Sequence, residues 1–207
     1  MEQYACLSLI YCYDEKLSLL QDREEPDWQS VELDIGMEVT EALEPDDGRK
    51  RFVINKYFGR GLSGQYIKEQ FREKHPEYDS QLEVVDDTAC FSDSYDMKPK
   101  IQQVCSAIAA KAKKLNSHYT IFKQNWLYIF APDLFTEFDL PEVLRTYRAI
   151  AAQNSIMFDK VFLNAFHSIF VLNPNGLECE IPVSDDCLKR LKSEAQLRAE
   201  EKRNSQK

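Results

Sequence analysis

The stretch from Glu24 to Thr40, EEPDWQSVELDIGMEVT, constrains this chain more than any other part of it. Its pattern predicts two short strands joined by a turn. Trp28, Val31 and Leu33 are β-favouring, Asp34-Ile35-Gly36 makes the break, and Met37 to Thr40 resumes the extended pattern. Pro26 stands at the start of the first strand, one of the few places where a strand accepts proline. A hairpin over these residues sets two carboxylates, Asp27 and Glu38, on neighbouring strands. Paired carboxylates suit a hard divalent cation, since Mg²⁺ is usually held by one or two of them together with water and substrate phosphate. The same ion polarises a phosphoryl oxygen and acidifies water, which is the chemistry of phosphodiester hydrolysis. A plainer reading competes with this one. Pro-Asp is also a turn signal, and with 35 acidic residues the chain places many carboxylates near its strands.

A second element bears on the same chemistry. Ile101, Val104, Cys105, Ile108, Ala109, Ala112 and Leu115 recur at helical spacing and predict an amphipathic helix over residues 100–115. At about 100° per residue, Lys111 falls roughly 70° from the centre of the apolar face, with Lys114 farther round. A long side chain on that shoulder reaches past the helix towards a sheet. Solvated lysines on the flank of a helix are the ordinary alternative.

Pro26-Asp27 followed by Glu38-Val39-Thr40 resembles the PD-(D/E)xK nuclease superfamily, which has the restriction-endonuclease-like fold. Thr40 stands where that pattern has lysine. The order hairpin, then Ile108-Ala109-Ala110-Lys111-Ala112-Lys113-Lys114-Leu115, then Tyr119, then the apolar strand Asn125 to Phe130 is similar to the superfamily core as well. The resemblance covers residues 2–43 and 100–131. It implies Mg²⁺ or Mn²⁺ as the cofactor, with Asp27 and Glu38 as its ligands, and DNA as the substrate. It also implies that a lysine from the following helix replaces the missing one, with Lys111 the first choice and Lys114 the second. An extra acidic residue often accompanies the N-terminal helix of that family, a role open to Glu24 or Glu25.

The remaining segments set boundaries. The formal charge of −9 counts against a simple nucleic-acid coat, because phosphate binding draws on Lys and Arg, while a local basic groove can coexist with an acidic exterior. The strongest basic run is Arg49-Lys50-Arg51-Phe52-Val53-Ile54-Asn55-Lys56-Tyr57-Phe58-Gly59-Arg60. Its cations at Arg49, Lys50, Arg51, Lys56 and Arg60, interleaved with aromatics, are candidates for phosphate and nucleic-acid contact. Gly59 to Gly64 fits GxGxxG but lacks the apolar strand that a dinucleotide site needs, so it reads as a glycine loop suited to anions. Six cysteines without CxxC or metal-ligand spacing read as free thiols of a reducing compartment, which argues against zinc. No apolar run approaches the length of a membrane span, and the N-terminus lacks a basic region. A cytoplasmic protein without a membrane partner is expected.

Residues 2–22 read as one helix, Leu140 to Ala152 as another opened by Asp139 and Pro141, and the segments around 159–164, 168–172 and 178–181 as strands. The expected fold is a single α/β domain over residues 1–183, a central mixed sheet flanked by helices with a restriction-endonuclease-like core. A variable insert occupies about 44–99, and 184–207 reads as a polar helical tail that frays. Two functions from different classes remain open: a divergent Mg²⁺-dependent nuclease acting on DNA, and a catalytically inactive relative serving as a protein-interaction or accessory module. A nucleotide-binding protein using Gly59 to Gly64 is a third.

Overall fold

Glu38 lies on a strand and Asp27 immediately before the neighbouring antiparallel strand, and the sheet around them explains why. The computed structural model of the 207-residue chain describes residues 1–42, 62–76, 82–85, 87–91, 100–131, 135–165 and 167–205. Its contacts divide the chain into two compact units, Leu43–Pro99 and the remainder.

The larger unit is built on a seven-stranded mixed sheet. Its strands are β1 (Gln21–Asp22), β2 (Trp28–Ser30), β3 (Ile35–Glu41), β6 (Gln124–Phe130), β7 (Lys160–Asn164), β8 (Ser168–Asn173) and β9 (Gly176–Pro182), in that spatial order. The β3–β6 and β6–β7 pairs are parallel and the other neighbours antiparallel. Parallel neighbours need long crossovers, and helices α3 (Lys100–Leu115) and α4 (Leu140–Gln153) supply them. Both cover one face, where Val104, Ile108, Ala112 and Val143 pack on Leu127, Ile129, Val161 and Leu163. Alternate residues of the same strands, Met37, Trp126, Tyr128 and Phe162, point to the opposite face. There they meet helix α1 (Glu2–Cys12) and helix α5 (Asp185–Ser205). This is the two-sided burial that parallel strands require.

The N-terminal helix is shorter than its pattern predicts. It ends at Cys12, and Asp14 caps a separate 3₁₀ turn at Glu15–Leu19 by accepting a hydrogen bond from the Lys16 N–H at 3.0 Å. Leu17 and Leu20 stay buried through that turn, so the apolar spacing persists while the helix does not. Ala5 to Leu9 are buried in succession, because α1 lies between the sheet and α5. Residues 185–205, read as a polar tail, form a helix whose Leu188 and Leu191 join the core under α1.

The hairpin also turns earlier than its pattern predicts. The break falls at residues 31–34, with Val31 89% exposed, and Gly36 lies inside β3. Glycine at position 36 is a packing requirement. A Cβ there would stand 2.4 Å from the Phe122 ring and 3.0 Å from Pro26 Cγ.

In the smaller unit, helix α2 (Gly64–Lys74) is capped by the Ser63 hydroxyl and accompanied by a hairpin of β4 (Leu82–Val85) and β5 (Thr88–Phe91). A Cβ at Gly64 would lie 2.7 Å from the Asp87 carbonyl, whose oxygen accepts the Gly64 N–H at 2.8 Å. The last glycine of the GxGxxG stretch therefore serves close backbone packing.

Gly36→Ala is expected to destabilise the protein by about 1–3 kcal/mol, the usual cost of overpacking a filled site. Urea denaturation checks this: a lower midpoint at unchanged slope is the expected outcome.

Candidate active site at the β2–β3 hairpin

The register of the hairpin generates the site. Trp28 pairs with Met37 and Gln29 with Gly36, so one step outward Asp27 stands opposite Glu38. Opposed residues in an antiparallel pair project to the same face. Met37 belongs to the α1 face, which leaves Glu38 on the face covered by α3. Asp27 is fixed by its own carboxylate, whose Oδ2 accepts the Val39 backbone N–H at 2.7 Å.

From the facing helix, Lys111 Nζ donates to Glu38 Oε1 at 2.5 Å. The carboxylate side chain is only 7% exposed and the lysine side chain 18%. Removing either partner of a buried pair typically costs about 3–5 kcal/mol, because the other charge is left without compensation. Lys114 lies exposed on the next turn, and its described contacts are made by its carbonyl, which caps the chain at His118 and Tyr119. The structure thus brings Lys111 to the two carboxylates. Thr40 lies half-buried, two residues beyond Glu38 on the same face of β3.

Two groups join this cluster to which the sequence pattern gave no role at the site. Glu2, at the start of α1, adds a carboxylate charge that acts on Asp27. Glu25 acts on Tyr119. The chain from α3 to β6 is held against the bend before β2 by a hydrogen bond from the Thr120 N–H to the Glu25 carbonyl at 3.0 Å. That contact positions Tyr119, whose hydroxyl is buried beside Glu38 without a completed hydrogen bond. A tyrosine in a connecting loop has no periodicity to announce it, so only the hydrogen-bonded docking of residues 116–123 places it here.

The electrostatics are unbalanced. Burial and then the Glu38 charge raise the Asp27 carboxyl from its ordinary 3.8 to about 6, against the opposing effects of the Val39 N–H and Lys111. Asp27, Glu38 and Glu2 are set against one ammonium group. Among the described residues, no cluster of three or more His, Cys, Asp or Glu side chains is gathered as a metal cage. Two carboxylates with an excess of negative charge nonetheless fit a hard divalent cation that keeps most of its water, and do not fit a soft one.

The basic residues Arg49, Lys50, Arg51, Lys56 and Arg60, and Gly59 with Gly61, lie outside the described residues. No described helix is long and apolar enough to cross a membrane. No protein-family model matches the chain, and neither curated proteins nor solved structures give a significant match.

The raised Asp27 carboxyl has a consequence for stability. Its folded pKa lies above its unfolded one, so its contribution is fully present below about pH 4 and is lost as pH rises through about 6. Asp27→Asn is therefore expected to stabilise the protein at pH 8 by on the order of 1 kcal/mol, discounted for the partial exposure of the group. The gain is expected to vanish near pH 4. Thermal melts of both proteins across pH 4–8 check it, and a variant less stable at pH 8 than at pH 4 relative to wild type would contradict it.

Proposed function

We propose that the chain is a divergent metal-dependent nuclease of the PD-(D/E)xK type acting on DNA phosphodiesters, with Asp27, Glu38 and Lys111 as its centre. The observation that carries this reading is the Lys111–Glu38 contact of 2.5 Å, made from the helix that follows the hairpin. A lysine delivered there supplies the positive charge that Thr40 lacks. The element sequence α1, β2, β3, α3 and β6, with β6 parallel to β3, is in keeping with a restriction-endonuclease-like core.

Asp27 and Glu38 would hold the cation. A divalent ion bound there supplies positive charge to a phosphoryl oxygen and makes water a better nucleophile. Asp27, anchored on the Val39 N–H, keeps one carboxylate orientation throughout. Lys111, paired with Glu38 in the metal-free protein, would contribute charge stabilisation for the phosphorane-like transition state. The run from Arg49 to Arg60 would hold the phosphate backbone. Against a net charge of −9, such a local basic segment is the feature that lets DNA approach.

A second reading has its own observation. The direct Lys111–Glu38 pair neutralises that carboxylate without any cation, as in a catalytically silent relative kept for protein interaction or an accessory role.

Calorimetric titration of Mn²⁺ separates the two. The nuclease reading expects saturable binding near one or two equivalents in wild type, lost in Glu38→Gln, together with Mg²⁺-dependent nicking of plasmid DNA. Lys111→Met is expected to lower nicking by 10²-fold or more while retaining the metal. A folded wild-type protein that neither binds Mn²⁺ nor nicks DNA would favour the silent relative.

A further inference from the structure

Tyr119 is the one buried side chain at the centre whose polar atom is left over by the contacts described so far. It is 8% exposed, and its hydroxyl has no hydrogen-bond partner. The carboxylates that act on it are, in order, Glu38, Asp27 and Glu25. A buried hydroxyl without a partner is costly, and native proteins retain few such groups without a reason. A tyrosine phenol is protonated at neutral pH, so it acts here as a donor, not as a base or nucleophile.

Glu38 is meanwhile held by Lys111 through one oxygen, Oε1. Two donors, one ammonium and one phenol, therefore converge on one carboxylate, and only the ammonium closes a hydrogen bond of normal length and angle. Resting on the reading of Asp27, Glu38 and Lys111 as a metal-dependent centre, we infer that Tyr119 is the positioning residue of Glu38 in the cation-loaded state. Its O–H takes over Glu38 when the carboxylate turns to the cation, and Lys111 is released to face the substrate. The orphaned hydroxyl is the waiting half of that exchange. Its removal thus has opposite effects on the two states: the metal-free protein loses an unsatisfied polar atom, and the loaded protein loses the group that holds a ligand.

That opposition is the test. Tyr119→Phe keeps the ring and its packing while deleting the oxygen. Without metal, its melting temperature is expected to equal or exceed that of wild type. Its Mn²⁺ affinity, measured by calorimetry, is expected to fall by about 10-fold or more, the usual effect of removing a group that orients a metal ligand. A merely structural tyrosine would lower the melting temperature and leave the affinity unchanged, and that pattern would overturn the inference. Equal affinity in both proteins would overturn it as well, leaving the centre itself intact. Wild-type protein that takes up no Mn²⁺ would instead remove the centre, and the role of Tyr119 with it.

Discussion

The site rests on the mutual repulsion of two carboxylates that a short hairpin forces to face each other. Asp27 and Glu38 are opposed by strand register, so the β2–β3 pairing keeps the bases of both side chains next to each other. One ammonium, Lys111, offsets part of that repulsion, and the Val39 N–H another part. Burial first, and then the uncompensated part of that repulsion, raise the Asp27 carboxyl. Strain of this kind concentrates at places that bind or react.

The rest of the larger unit serves to keep the three groups in place. The α3 crossover must lie over β3 and β6 because parallel strands demand a covered face, and its apolar stripe fixes its rotation. That rotation sends Lys111 towards the sheet and leaves Lys114 in solvent. On the hairpin, Gly36 lets Phe122 and Pro26 close over β3. Phe122 belongs to the same connection that carries Tyr119, so packing at Gly36 and the placement of the phenol are linked through one short loop.

Much of this was legible in the residues. The helix over 100–115 follows from its amphipathic period, and the strand ending at Phe130 from a short apolar run rich in aromatic residues and bounded by turn signals. The shoulder position of Lys111 followed from the same geometry. Other features had no local signal. Leu17 and Leu20 kept helical spacing through a 3₁₀ turn, since buried leucines three residues apart suit either geometry. Gly36 looked like a turn residue because a glycine demanded by a ring from position 122 carries no mark of that distant neighbour. Polar residues 185–205 hid the two leucines that dock α5 on the core. Glu2 and Tyr119 reach the site only through tertiary packing.

The central claim is that Asp27 and Glu38 share a site short of positive charge and ready for a divalent cation. A ¹³C-carboxyl NMR titration of Asp27, with and without saturating Mg²⁺, measures that directly. The account expects a midpoint near 6 in the absence of the ion, and a midpoint lowered by at least one unit in its presence. A midpoint near 4 that Mg²⁺ does not move would contradict it, and would make the two carboxylates ordinary residues of a well-packed hairpin.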